Sequence, residues 1–97
     1  MPKARKESDT TRLFEDGSIL HIRVWEVAEP VPPSKHRFKY SCFYGRPGER
    51  VVLYDNERGK GDHRHYGERE EVYEFKNIET LITDFLGDVR RERGEGG

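Results

Sequence analysis

The densest run of reactive side chains in this sequence is Tyr54-Asp55-Asn56-Glu57-Arg58-Gly59-Lys60-Gly61-Asp62-His63-Arg64-His65. In extended chain, His63 and His65 project to one side, two positions apart. Imidazoles titrate near neutrality, so each can take or give a proton there. Cleavage of RNA through its own 2′-hydroxyl needs such a pair: a base for the hydroxyl and an acid for the leaving 5′-oxygen. It also needs cations for the phosphorane, and Arg58, Lys60 and Arg64 are the candidates. Asp55 and Asn56 would shape the loop or orient a histidine. This chemistry requires no metal.

The same residues admit two other readings. Two histidines at i, i+2 with Asp55 or Asp62 nearby make part of a ligand set for zinc or another divalent ion. The spacing reveals no third strong ligand, so neither metal nor cofactor is expected. Alternatively, a glycine-bearing charged loop merely joins two strands, although the run is richer in Asp, Asn, Arg, Lys and His than a connection needs.

The elements that would position this run can be read on both sides of it. Thr11–Glu15 and Ser18–Val27 flank Asp16-Gly17, a signal for a two-residue type I′ hairpin turn. In the second of these runs Leu20, Ile22 and Val24 face one way, and His21, Arg23 and Trp25 the other. Pro30, Pro32 and Pro33 interrupt the pattern, since proline gives a sheet no backbone donor. Lys35–Tyr44 alternates again. His36, Phe38, Tyr40, Cys42 and Tyr44 oppose Arg37, Lys39 and Ser41, which Phe43 joins. A turn at Gly45-Arg46-Pro47-Gly48 precedes a more buried strand, Glu49–Tyr54. Asp55–Asp62 reads as a loop, His63–Tyr66 as a short strand, Gly67 as a turn and Glu71–Phe75 as a last strand. Ile78, Leu81, Ile82, Phe85, Leu86 and Val89 then form one apolar helical stripe, with Asn77 at the N-cap position.

The expected fold is therefore α+β: an antiparallel sheet of five to six strands with one C-terminal amphipathic helix packed on one face. Residues 11–93 form the single domain, 1–10 a flexible segment and 94–97 a frayed tail. The sheet face without the helix is expected to carry His21, Arg23, Arg37 and Lys39, with Trp25 and Phe43 among them. Arg23, Arg37 and Lys39 would guide an RNA backbone, and Trp25 could stack a base.

Composition bounds the alternatives. Ile, Leu, Val and Phe number 21 of 97 residues, close to the level of about 20% below which chains tend to disorder. With 18 Lys and Arg against 19 Asp and Glu, no large net charge opposes folding. No apolar stretch approaches the roughly 20 residues of a membrane span, and the N-terminus lacks the apolar segment of a secretory signal. The lone cysteine, Cys42, excludes a disulfide scaffold and a multi-cysteine zinc site, and reads as a buried thiol. The expectation is a reduced, cytoplasmic protein. Charge is uneven, with residues 34–64 at +4 and residues 65–97 at −4. A basic middle suits a polyanion, but the basic and acidic thirds can also pair with each other in the fold.

The pattern Tyr54-Asp55-Asn56-x-x-Gly59-x-x-x-His63-x-His65 resembles the TumE family of small toxins from prokaryotic toxin–antitoxin pairs. So do the preceding EDGSILHIRVWEVAEPV hairpin, the KYSCFYG strand and the closing LITDFLGDVRRER helix, a resemblance spanning residues 11–93 or so. It implies a cytoplasmic toxin held inactive by a cognate antitoxin, often a helix-turn-helix protein. Many toxins of this size are ribonucleases acting on messenger RNA or at the ribosome. The two lines meet in one expectation, a metal-independent endoribonuclease using His63 and His65. The rival class is a non-catalytic module that docks on RNA, the ribosome or a protein through its basic sheet face. That face could equally take the antitoxin or a second copy of the chain.

Overall fold

The computed structural model of the protein describes residues 5–95. Six strands and one helix follow in order: β1 (Arg5–Leu13), β2 (Ile19–Glu26), β3 (Phe38–Arg46), β4 (Glu49–Glu57), β5 (Gly61–Tyr66), β6 (Arg69–Val72) and α1 (Ile78–Glu92). Each strand pairs antiparallel with its sequence neighbour, giving a six-stranded meander. This is the α+β architecture read from the sequence.

Alternation builds the wall of the core. Leu20, Ile22 and Val24 lie opposite Tyr44, Cys42 and Tyr40, and Cys42 and Tyr44 lie opposite Tyr54 and Val52. All are buried, and onto them α1 lays Leu81, Phe85 and Val89. The helix begins where Asn77 accepts a hydrogen bond from the Thr80 amide at 2.7 Å. Glu79 in its first turn and Arg90 and Arg91 in its last complement the helix dipole. Truncating the fully buried Phe85 to alanine would cost about 3–5 kcal/mol. Asp88 also points inward from the stripe. It accepts hydrogen bonds from the hydroxyls of Tyr54 and Tyr66 and from the Arg91 guanidinium, which satisfies a carboxylate that is only 4% exposed.

The elements depart from the sequence reading at several points. β1 begins at Arg5 and pairs with β2 from there, although flexible chain is expected through residue 10. Residues 1–4 of that segment, like 96–97 of the expected tail, lie outside the described residues. The β1–β2 connection is not a type I′ turn, which needs two successive residues of positive φ. Only Gly17 is positive there, and the loop instead spans Phe14–Ser18. The Asp16 carboxylate holds it by accepting from the Ser18 amide at 2.9 Å and the Ser18 hydroxyl at 2.6 Å. β3 starts at Phe38, after Lys35 and His36, and β6 ends at Val72, before Tyr73 and Phe75. The expected loop 55–62 shrinks to the turn Arg58-Gly59-Lys60, so Asp55, Asn56 and Asp62 are strand residues. Among the described residues, no helix is long and apolar enough to cross a membrane.

Candidate functional site

The β4–β5 hairpin decides which residues meet. Its register sets Asp55 opposite His63 and Leu53 opposite His65, and β6 adds Glu70 opposite His65. On the other side, β3 sets Ser41 opposite Asp55, and β2 sets Arg23 opposite Ser41 and Trp25 opposite Lys39. Strand alternation places all of these on the face that α1 does not cover.

Within this cluster Asp55 Oδ1 lies 2.7 Å from His63 Nε2, while Glu70 Oε2 lies 3.1 Å from His65 Nε2 and 3.6 Å from His63 Nε2. The two imidazole rings stand edge to face with centroids 5.0 Å apart. His63 Nδ1 faces the carbonyl oxygen of Gly61 at 2.9 Å. A carbonyl only accepts, so this contact fixes the proton on Nδ1 and turns Nε2 toward Asp55. Gly61 offers that carbonyl from a φ of +79°, a conformation that suits glycine.

Both histidines are nine-tenths buried or more. Asp55 Oδ1, His63 Nε2 and His65 Nδ1 are buried without a hydrogen-bond partner. The 2.7 Å approach of Asp55 to His63 is thus close in distance but not aligned as a hydrogen bond. Burial raises the Asp55 carboxyl above its ordinary pKa, against the opposing pull of His63. Burial, with the Arg50 guanidinium, lowers the His65 imidazole. His63 also borders a depression of about 240 Å³ that it shares with Lys60, Glu70, Glu71 and Val72.

The other residues singled out in the sequence are divided between the helix side, the rim of the cluster and the rest of the open face. Asn56 points to the helix side and is fully buried. Its amide accepts from the Tyr40 amide at 3.0 Å and donates to the Phe38 carbonyl at 2.7 Å. Arg64 is also on the helix side, donating to Glu71 at 2.6 Å and to the Tyr54 hydroxyl at 3.2 Å. Asp62, the alternative carboxylate for the histidines, accepts from Ser34, Tyr40 and His36 on that side, at 2.9, 2.7 and 2.7 Å. Lys60 stands at the rim of the histidine cluster, 3.5 Å from Glu70. Arg58 is exposed on the adjoining turn. Lys39 donates to the Asn56 carbonyl, and Trp25 lies under the Lys6 ammonium at 5.1 Å. Arg37 precedes β3 and lines a separate hollow with Arg5 and Glu26. Cys42 is a buried thiol, as expected, and burial followed by the nearby Asp55 pushes its pKa up to about 12.

The acidic C-terminal third meets the basic middle through Lys60–Glu70 and Arg64–Glu71, so part of the sequence's charge division is spent inside the fold. Glu70 is a site residue that the sequence pattern does not single out. Its only signal there is a place in an acidic run facing a basic one. One ligand-type atom from each of Asp55, His63 and His65 lies within 4.8 Å of the others. Such a set can move protons or chelate a cation.

A family model described as toxin TumE matches residues 3–93. No match is found among curated proteins or among solved structures.

Proposed function

The chain belongs to the TumE toxin family, which makes it the toxin of a toxin–antitoxin module with a cognate antitoxin as partner, and from that premise we propose that it is a metal-independent endoribonuclease. The observation that supports this reading is the strand register that sets His63 and His65 beside Asp55 on the open sheet face. Rings with centroids 5.0 Å apart are close enough for one scissile phosphate to be reached by both.

In this mechanism His65, through the Nε2 that lies 3.1 Å from Glu70 at the rim, takes the proton of the 2′-hydroxyl. The 2′-oxygen bonds to phosphorus, and the bond from phosphorus to the 5′-oxygen breaks. His63, with Nδ1 committed to Gly61 and Nε2 against Asp55, delivers a proton to the departing 5′-oxygen. The products carry a 2′,3′-cyclic phosphate and a 5′-hydroxyl. Lys60 at the rim stabilises the phosphorane, while Lys39 and Arg23 hold the flanking backbone and Trp25 offers a stacking surface. Arg58 meets the strand from the turn. Glu70, exposed on the short edge strand β6, borders the site 3.1 Å from His65. The protein acts in the cytoplasm, where a helix-turn-helix antitoxin silences it.

The depth of the two histidines favours a second reading. In it the chain is a non-catalytic module that docks on RNA, the ribosome or a protein through Trp25, Arg23 and Lys39. Labelled single-stranded RNA separates the two, incubated in EDTA with wild type, His63→Ala and His65→Ala. Cleavage by wild type that either substitution abolishes supports the ribonuclease. Folded wild type that binds RNA without cutting it supports the docking module.

A further inference from the structure

Three features of the histidine cluster exceed what proton transfer requires. The first is convergence: ligand-type atoms of Asp55, His63 and His65 lie within 4.8 Å of one another, and Glu70 Oε2 approaches both Nε2 atoms at 3.1 and 3.6 Å. The second is that Asp55 Oδ1 and His63 Nε2 are buried with no hydrogen-bond partner, a costly arrangement unless something neutralises them. A proton shared along an aligned axis would serve, but Asp55 and His63 meet at 2.7 Å without that alignment. The third is the hydrogen bond from His63 Nδ1 to the Gly61 carbonyl, which in the neutral ring presents Nε2 as a lone pair. An imidazole that ligates a metal is oriented in the same way, by a backbone carbonyl on its other nitrogen.

We propose that Asp55, His63 and His65, with Glu70 at the rim, bind a divalent transition-metal ion of the zinc class, and that its occupancy silences the ribonuclease site. Two imidazole nitrogens with carboxylate oxygens suit zinc, whereas calcium and magnesium favour all-oxygen sets. Zinc holds such ligands at about 2.0–2.2 Å, which places tetrahedral donor atoms roughly 3.3 Å apart. The contacts of 2.7, 3.1 and 3.6 Å bracket that separation. Two carboxylates beside neutral imidazoles supply two negative charges for the dication. The silencing half rests on the acid–base reading above. An imidazole lone pair bound to metal cannot accept the 2′-hydroxyl proton, so the bound form is inactive until the ion is released.

Isothermal titration of the metal-stripped full chain with zinc chloride tests the site without any RNA. The expected result is one ion per chain, with affinity falling at least tenfold in His63→Gln and His65→Gln. Glu70→Gln, an exposed position, should weaken binding several-fold without touching the core. Melting curves confirm that each apo variant is folded. Zinc at a hundredfold excess over its dissociation constant should raise the wild-type melting temperature by about 10 °C or more. Absence of binding, or affinity unchanged in all three variants, overturns the site. In the RNA assay, cleavage should fall in step with zinc occupancy, and cleavage that rises with zinc overturns the silencing role. A chain that binds zinc as described but cuts no RNA in EDTA sinks the ribonuclease reading, and with it the silencing, while the cation site stands.

Discussion

Replacing Asn56 by alanine separates a structural role from a catalytic one. Its side chain is fully buried on the helix side of the sheet. The amide oxygen accepts from the Tyr40 amide at 3.0 Å, and the amide nitrogen donates to the Phe38 carbonyl at 2.7 Å and the Ser34 hydroxyl at 3.4 Å. Asn56→Ala orphans the Tyr40 N–H and the Phe38 C=O together. Leaving a buried polar group unpaired costs about 1–3 kcal/mol, so the pair loses about 2–6 kcal/mol. In a domain of this size each kcal/mol moves the melting midpoint by about 4–8 °C, which predicts a fall of at least about 8 °C. Circular dichroism melting measures that fall. RNA cleavage is then assayed well below the variant's midpoint, where most of the activity should survive because Asn56 faces away from His63 and His65. An unchanged midpoint would refute the hydrogen-bond account. Abolished cleavage in a fully folded variant would return Asn56 to the active site.

The remaining predictions probe the loop, the open face and the core. Asp16 is held at a pKa of about 2, below its ordinary 3.8, chiefly by the hydrogen bonds from the Ser18 hydroxyl and amide, with Arg93 and Arg46 adding attraction. A depressed carboxyl stabilises the fold above its unfolded pKa and loses that contribution as pH falls through the folded value. Asp16→Asn should therefore flatten the acid limb of a stability–pH curve between about pH 4 and 2, read from urea midpoints. Arg23→Glu combined with Lys39→Glu should weaken RNA binding and reduce the slope of log affinity against log salt by about 0.7 for each phosphate that the protein no longer neutralises. Undiminished binding would place the RNA elsewhere. The Cys42 thiol, with its pKa pushed up to about 12 by burial, should resist alkylation in the native protein and react once urea unfolds it. Rapid native labelling would contradict its burial.

Local periodicity made much of this fold legible. The stripe from Ile78 to Val89 repeats on a helical period, and the N-cap at Asn77 is a neighbour effect, so both can be read without knowing the rest of the chain. Alternation likewise put His63 and His65 on one side. What alternation alone could not decide was which carboxylate meets them. That depends on where β4 ends and how long the turn is, and a three-residue turn at 58–60 pairs Asp55 with His63 and sends Asp62 to the opposite face with His36 and Tyr40. Asn56 was in principle readable, since it continues the buried series Val52, Tyr54, but treating the segment as a loop hid the alternation. Asp88 falls three residues after Phe85 and seven after Leu81, an inward position on any helical wheel. A search for apolar residues alone passes over it. Glu70 was out of reach, because its place beside His65 follows from the pairing of β5 with β6 and not from any local pattern.

The most direct test of the central claim is the chemistry of the RNA ends. Wild-type protein is incubated in EDTA with an RNA of defined sequence, its cleavage sites are mapped, and the RNA is remade with a single 2′-deoxy sugar at the principal site. If His63 and His65 drive attack by the 2′-hydroxyl, the products end in a 2′,3′-cyclic phosphate and a 5′-hydroxyl, and the 2′-deoxy RNA is not cut there. Products ending in a 5′-phosphate, or undiminished cutting at the deoxy position, would contradict the mechanism.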